Sequence, residues 1–332
     1  MMSADFPLPG SPPARKARRP RDKVIVAGLL LLFVVGFFGL AATTGWSETL
    51  AQLDRLSLRQ GGLLLMLSLI NYGFRGLRWH LFARGLAAPT SFRRDLLHFF
   101  GGFAMIVTPG RLGELVRVRW LAREAGWPID RAAPLALMDR ASDLAAVAVL
   151  LGFSVTIASV AIRGALPVAI LSLVVAWAAT HPGLLAQLIT WTYRASGRLP
   201  RAFARARRAA RSLAAFSGPR ILLPALLLGL VGWAAEGYAF QCLLGWFGSD
   251  IGFASALAIF LFSALAGGMT GAPGGVGGAE AAMIALLALD GTPLQIAIAA
   301  TAIIRVTTLW FAVGLGVLAF PIAERLSFRG GK

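Results

Sequence analysis

Apolar residues fall into blocks of about 20 along most of this 332-residue chain, and short polar segments separate the blocks. An α-helix of that length spans the hydrocarbon core of a bilayer, which is roughly 30 Å thick. The pattern therefore predicts an all-α polytopic membrane protein with six full transmembrane helices. These spans cover residues 24–43, 61–82, 132–158, 164–181, 220–246 and 294–320.

Two further apolar regions, 95–124 and 253–289, are each interrupted by a Pro-Gly pair, within TPGRLGE and APGGVGGAE respectively. The first has only about 14 residues before its break, roughly 21 Å of helix, which is too short to cross the membrane. Proline and glycine end helices and permit tight turns. We therefore predict two re-entrant helical hairpins. Their breaks comprise Pro109, Gly110, Gly113, Pro273, Gly274 and Gly277.

The order of span, hairpin and span occurs twice, which predicts two repeat units in opposite orientations. Pro109 precedes Arg140 by 31 residues, and Pro273 precedes Arg305 by 32. Inverted repeats with broken helices are typical of transporters. Packing alone would explain a single glycine cluster, but two copies in matching places favour breaks that line a cavity. The repeats lie at about 61–158 and 220–320.

Composition and charge set the class of protein and its orientation. With 57% hydrophobic residues, 14% charged residues and a mean hydropathy of +0.73, the chain is unlike a soluble globular protein. The predicted topology places 24 Lys and Arg residues on one side of the membrane and three on the other. The positive-inside rule then puts both termini in the cytoplasm, and we expect a multi-pass membrane protein.

The polar segments outside the spans are predicted to be tails and loops. Residues 1–23 predict a disordered basic tail, although a signal peptide is an alternative for the first apolar run. Residues 321–332 predict a second tail after a single transmembrane domain, 24–320. The basic cytoplasmic loop 182–219 sets topology, or forms an amphipathic helix over 194–211 that lies on anionic headgroups.

The net charge of +17 would favour nucleic acid in a soluble protein, but no binding module accompanies it. His80, His98 and His181 lack metal-ligand spacing, and Cys242 lies in an apolar run where it is expected to pack. We therefore expect no metal, no cofactor and no nucleic acid.

Ionisable residues at membrane depth are the candidate site, because a charge at a helix centre costs about 2.5–3.5 kcal/mol and so pairs or lines a wet cavity. Arg78 lies near a span end, where its side chain would reach the cytoplasmic surface. Asp143 is equally explained by an ion pair with Arg140. Arg305 and Glu236 lack a local partner, so we expect each to meet another helix or a substrate. The predicted substrate-binding residues are Arg75, Arg111, Glu114, Asp139, Arg140, Asp143, Glu236, Glu280 and Arg305.

Four segments resemble a known family in order and spacing: TPGRLGELVRV, LMDRASDLAAV, GAPGGVGGAEAAM and AIIRVTTLWF. They are similar to the membrane domain of the lysylphosphatidylglycerol synthase/flippase family over about residues 24–320. The resemblance implies a flippase-like protein, because that domain is implicated in moving aminoacylated phospholipid between leaflets. Asp139 departs from the family's usual glutamate, and Gly278 from a position that is often charged. The soluble aminoacyl-transferase domain is expected to be absent, since the chain ends at Lys332.

Together with this resemblance, the sequence predicts a lipid translocase of the bacterial inner membrane, not an enzyme. We expect it to move a phospholipid or lipid-linked headgroup across that membrane. Arginines suit a phosphate because the planar guanidinium binds two oxygens at once, and the acids would hold those arginines or meet a cationic group. The alternatives are an integral-membrane enzyme that uses Asp139 and Asp143, or an accessory subunit of a glycolipid or hopanoid pathway. Expected partners are a membrane lipid, anionic headgroups at the basic loop, and a homo-oligomer or pathway enzyme.

Overall fold

The computed structural model describes residues 56–108, 112–158, 162, 164–196, 200–216 and 218–328. Within these ranges the regular structure is helical throughout, and the predicted span 24–43 lies outside them. The α-helices are α1 (Leu58–Gly85), α2 (Phe92–Gly102), α3 (Leu112–Glu124), α4 (Ile129–Ala132), α5 (Pro134–Ile157), α6 (Ala165–Thr180), α7 (Pro182–Ser196), α8 (Pro200–Ser212), α9 (Pro219–Trp246), α10 (Phe253–Met269), α11 (Gly278–Leu289), α12 (Leu294–Arg305) and α13 (Phe311–Ser327).

Three helical stretches of the described chain are long and apolar enough to cross a membrane: Ile129–Ile157, Pro219–Trp246 and Leu294–Ser327. Together α6 and α7 make a fourth if they form one bent span. Helix α1 is long enough, with 28 residues, but its composition is not apolar enough for it to be one of these three stretches. It carries the buried residues Arg75 and Arg78. An all-helical architecture is confirmed, and the count of six spans stays a prediction.

Helix starts follow local sequence signals. Ser57 caps α1, because its Oγ accepts a hydrogen bond from the Gln60 backbone N–H and the Gln60 side chain accepts one from the Ser57 N–H at 2.8 Å. Helices α5 and α9 begin with Pro134 and Pro219. Proline suits this position because the first helical N–H has no partner within the helix.

The predicted span 164–181 ends in a sharp bend. Helix α6 has 16 residues, about 24 Å of rise. His181 is extended (φ −96°, ψ 105°) before Pro182, as a residue before proline prefers to be, and α7 leaves at 86°. The segment 182–219, predicted as a loop, is helical over most of its length as α7 and α8. Likewise α13 continues to Ser327, into the predicted C-terminal tail.

The two largest apolar clusters of the described residues lie at opposite ends of the long helices. The first includes Leu64 of α1, Leu151 of α5 and Phe240 of α9, and the second includes Trp79, Met138 and Ala225 of the same three helices. The start of α1 therefore shares a cluster with the ends of α5 and α9. Helix α1 runs antiparallel to both, which agrees with the predicted alternation of these spans.

Each Pro-Gly region connects two helical arms that pack on each other. Helices α2 and α3 flank the first region (hairpin 1), and α10 and α11 flank the second (hairpin 2). Phe99 of α2 and Leu121 of α3 belong to the second apolar cluster, whereas Leu257 of α10 and Met283 of α11 belong to the first. The two hairpins therefore pack into opposite ends of the molecule.

Glycines let the arms of each hairpin approach closely. A Cβ added at Gly113 of α3 would overlap the carbonyl oxygen of Gly102 in α2. In hairpin 2, a Cβ added at Gly267 would lie 2.7 Å from the Ala279 Cβ and 3.0 Å from the Gly275 carbonyl oxygen. Both contacts are shorter than van der Waals packing allows, so a larger residue would separate the arms.

Candidate functional site

A cavity of about 480 Å³ lies between the two hairpins. Phe103 and Ile106, which follow α2, line one side, and Gly274 and Gly275 at the break of hairpin 2 line another. Its volume falls within the range of small-molecule sites. Five charged side chains contribute to the lining: Arg75, Arg140, Asp143, Glu236 and Arg305.

Arginines of two helices hold Asp143 on the cavity wall. Arg75 Nη2 lies 2.6 Å from Asp143 Oδ2, and Arg78 Nη2 lies 2.6 Å from Asp143 Oδ1. Arg140, one turn earlier on α5, lies 3.7 Å from Asp143 Oδ2. The Trp233 indole also donates to Asp143 at 3.4 Å. Asp143 is thus largely occupied by protein partners, which supports the ion-pair explanation of this residue.

Behind the wall, Asp139 is fully buried and pairs with two arginines. Arg78 Nη2 lies 2.6 Å from Asp139 Oδ1, and Arg117 Nη1 lies 3.4 Å from Asp139 Oδ2. The Arg117 guanidinium also stacks over Trp79, 4.8 Å from the ring centre, and Phe99, at 5.0 Å. Asp139 does not line the cavity, so its place in the structure is to anchor the arginines that surround it.

The prediction that Arg78 reaches the surface is wrong. Arg117, one of the 24 Lys and Arg residues that the predicted topology places on the cytoplasmic side, is buried as well. Arg78 has no exposed area and Arg117 only 3%. Arg78 follows Arg75 by three positions and so shares its helix face, and Arg117 shares a face with Gly113 four positions earlier. Those spacings were the available signal that both side chains point into the protein.

The break of hairpin 2 has its own charged centre. Arg305 Nε lies 2.5 Å from Glu280 Oε1, and Arg305 Nη2 donates to the Gly274 carbonyl at 2.9 Å. The other oxygen, Glu280 Oε2, accepts from the Gly277 N–H at 2.7 Å at the start of α11. Gly274 and Gly277 have φ of 65° and 87°, a region that favours glycine. Glu280 therefore links Arg305 to the turn that precedes α11. This contact agrees with the expectation that Arg305, which has no partner on its own helix, meets another helix or a substrate.

Glu236 stands apart from the other acids. It lies near the middle of α9, lines the cavity and is only 5% exposed. Within the described part of the chain, its carboxylate takes part in no hydrogen bond or ion pair. A buried carboxylate is costly without compensation, so Glu236 is the acid most available to a ligand.

Aromatic and polar groups complete the wall beside Glu236. Trp233 lies one turn before it on α9, and the Arg75 guanidinium sits 5.5 Å from the Trp233 ring centre. The Tyr72 hydroxyl donates to the Thr308 carbonyl at 2.5 Å. Thr308 belongs to a π-helical turn, Val306–Trp310, between α12 and α13. Such turns free carbonyl groups and occur frequently at functional sites.

The remaining predicted residues have other positions. Pro109, Gly110 and Arg111 lie outside the described residues, as does the side chain of Glu114. Pro273 begins a short 3-10 turn, Pro273–Gly275, at the break of hairpin 2. Among the described residues, no group of three His, Cys, Asp or Glu side chains could hold a metal ion.

The sequence of this chain matches the family described as the lysylphosphatidylglycerol synthase TM region over residues 24–316. The chain belongs to that family. The resemblance found from the four sequence segments is therefore confirmed, and the protein is a membrane protein connected with lipid metabolism or translocation. No curated protein matches the chain. The cavity, the ion pairs of Asp139 and Asp143, and the Arg305–Glu280 pair all fall within the matched region.

Proposed function

We propose that this protein moves a phospholipid or lipid-linked headgroup across a bacterial inner membrane, as a flippase-like translocase with both termini in the cytoplasm. The observation that carries the proposal is the cavity between the two hairpins, whose lining combines Arg75, Arg140, Asp143, Glu236 and Arg305 with mainly apolar side chains. A polar headgroup needs such a wet, charged space inside the membrane, while its acyl chains stay in lipid.

The charges of the cavity suit a headgroup that carries a phosphate. Arginine binds phosphate oxygens in pairs through its planar guanidinium. Asp143 and Glu280 are engaged by arginines, whereas Glu236 remains open to the cavity. The proposed ligand is therefore anionic at its phosphate, and Glu236 favours an additional cationic or hydroxyl group on the same headgroup.

The packing of the helices supports an inverted-repeat mechanism. The first spans of the two repeats, α1 and α9, pack on each other. Helix α2 of hairpin 1, in the first repeat, packs on α13, the last span of the second repeat. Helix α10 of hairpin 2, in the second repeat, packs on α5, the last span of the first repeat. This exchange is the arrangement expected of two repeats related by a pseudo-two-fold axis through the cavity.

A liposome assay tests the proposal. Purified protein in liposomes should accelerate the movement of labelled phospholipid to the opposite leaflet for at least one headgroup class among zwitterionic, anionic, aminoacylated and glycosylated lipids. Glu236→Gln should reduce that rate by about tenfold, the effect of losing roughly 1.4 kcal/mol of binding in the rate-limiting state. Asp250→Asn is the matched control, because Asp250 is an exposed carboxylate outside the cavity.

Two outcomes would favour other functions. No acceleration of any lipid in the panel, under any ion gradient, would favour an accessory subunit, which becomes active only with a pathway partner. Chemical turnover of a lipid would favour a membrane enzyme. The enzyme is less well supported, because Asp139 and Asp143 are both held by arginines and lack a free carboxylate for acid–base work.

A further inference from the structure

A second cavity, of about 360 Å³, lies between helices α7 and α8, and its lining shares no residue with the central cavity. Tyr193 of α7 and Phe203 of α8 hold the two helices together, with ring centres 5.3 Å apart. We call this cavity the α7–α8 groove. It is lined by Ala186, Gln187, Thr190, Trp191, Arg194 and Arg207.

The bend before α7 places the groove at the membrane surface. Helix α6 exposes large apolar side chains, including Leu171 (63%) and Trp177 (56%), as a lipid-facing helix does. Because α7 leaves α6 at 86°, it lies along the surface when α6 stands across the bilayer. Leu188 and Trp191, three positions apart on α7, are 55% and 71% exposed. They give α7 an outward apolar face. Trp191 on this face is of the residue type that is enriched where the membrane meets water.

The two charged side chains that line the groove are both arginines. Residues 182–220 contain eight arginines, and no Asp or Glu occurs between Asp143 and Glu236. Arg194 and Arg207 are exposed and line the groove from the two helices. No acid is among the described residues that line the groove. Two arginines in such a lining attract an anion, and their planar guanidinium groups match phosphate.

We propose that the α7–α8 groove docks the headgroup of an anionic phospholipid, with Arg194 and Arg207 on its phosphate. Trp191 would lie at the boundary between headgroups and acyl chains, beside the bound lipid. The site is separate from the central cavity, so it binds lipid whether or not the protein translocates one. Its role is to fix α7 and α8 on the membrane surface next to the helices that they contact, α4, α5 and α6.

Native mass spectrometry of the full chain, released from nanodiscs, tests the site. With 70% phosphatidylcholine and 30% phosphatidylglycerol, wild type should retain phosphatidylglycerol in preference to phosphatidylcholine. Arg194→Gln/Arg207→Gln should weaken this retention about tenfold. The control, Arg93→Gln/Arg220→Gln, removes the same charge from two exposed arginines outside the groove and should retain the lipid like wild type.

Equal loss in the two double variants would mean diffuse attraction to the basic surface and would overturn the site. Equal retention of both lipids by wild type would overturn it as well. A dimer that disappears only in Arg194→Gln/Arg207→Gln would assign the groove to a second copy of the chain. Unchanged circular dichroism and thermal unfolding are required of every variant, so that loss of lipid cannot come from loss of folding.

The position of α7 can be checked on its own. A nitroxide on Leu188→Cys, in a Cys242→Ser background, should collide with oxygen dissolved in the bilayer more than with a water-soluble nickel reagent. The same label on Gln187→Cys, at the groove, should collide more with the nickel reagent. The reverse pattern would show that α7 does not lie with its apolar face in the membrane.

Discussion

Three acids of this protein show how partners decide the role of a charge inside a membrane. Asp143 is held by Arg75 and Arg78, each at 2.6 Å, and Glu280 is held by Arg305 at 2.5 Å. Because arginines balance the charges of these two carboxylates, we expect Asp143 and Glu280 to contribute mainly to the stability of the fold. Glu236 has similar burial but no such partner among the described residues. We therefore expect Glu236 to contribute more to ligand binding than to the stability of the fold.

Separate glutamine substitutions should distinguish these roles. Glu280→Gln leaves Arg305 without its carboxylate, so the free energy of unfolding should fall by about 3 kcal/mol, the lower end for breaking a buried pair. Glu236→Gln removes no hydrogen bond or ion pair with a described residue, and it should change the free energy of unfolding by less than about 0.5 kcal/mol. Thermal unfolding in one detergent, followed by circular dichroism, measures both.

A double variant supplies the control for the Arg305–Glu280 pair. Arg305→Gln/Glu280→Gln removes both charges, so it should recover part of the stability that either single change loses. Additive losses would contradict a direct ion pair. A loss of stability in Glu236→Gln as large as that of Glu280→Gln would contradict the separation of roles.

At the scale of elements, the sequence predicted where helices break better than it predicted which side chains are buried between helices. The Pro-Gly pairs and the lengths of the flanking apolar runs indicated arms and turns, because backbone geometry follows from local residues. The burial of Arg78 and Arg117 depends on which helices pack beside them, and that is a property of distant residues. The bend at His181 had a local signal, the following Pro182-Gly183, within an otherwise apolar run.

The close approach of the arms of hairpin 1 gives a prediction for an element. Gly113→Ala places a methyl group against the Gly102 carbonyl oxygen, a backbone atom that cannot rotate away. We expect a loss of about 1–3 kcal/mol in the free energy of unfolding, as for overpacked cores. Thermal unfolding measures the loss, and transport should fall with it.

Gly73→Ala is the matched control for that substitution. Gly73 also lies inside a helix, α1, but a Cβ there meets no atom within 4 Å. Alanine should leave stability unchanged or raise it by up to about 1 kcal/mol, because it restricts the unfolded chain. Similar losses in the two variants would show that the cost at Gly113 comes from helix flexibility and not from contact between the arms.

At the scale of the whole molecule, the charged groups lie between the two apolar clusters, and the hairpins approach them from opposite ends. The hairpins also meet there. A Cβ at Gly274 of hairpin 2 would lie 3.1 Å from a methyl group of Val107, which follows α2 in hairpin 1. If the cavity opens alternately to either side, as in transporters built from inverted repeats, we expect this contact between the hairpins to break in each cycle.

A reversible cross-link tests that requirement. Val107→Cys/Gly274→Cys, in a Cys242→Ser background, brings two thiols within reach of a disulfide. Oxidation should stop lipid movement in liposomes, and a reductant should restore it to the rate of the unoxidised double variant. Each single-cysteine variant, oxidised and reduced in the same way, should move lipid at an unchanged rate. These variants also measure any loss of activity that comes from placing a cysteine in the strained backbone of position 274. Transport that continues in fully cross-linked protein would show that the hairpins stay together, and lipid would then have to pass along a surface that this contact does not close.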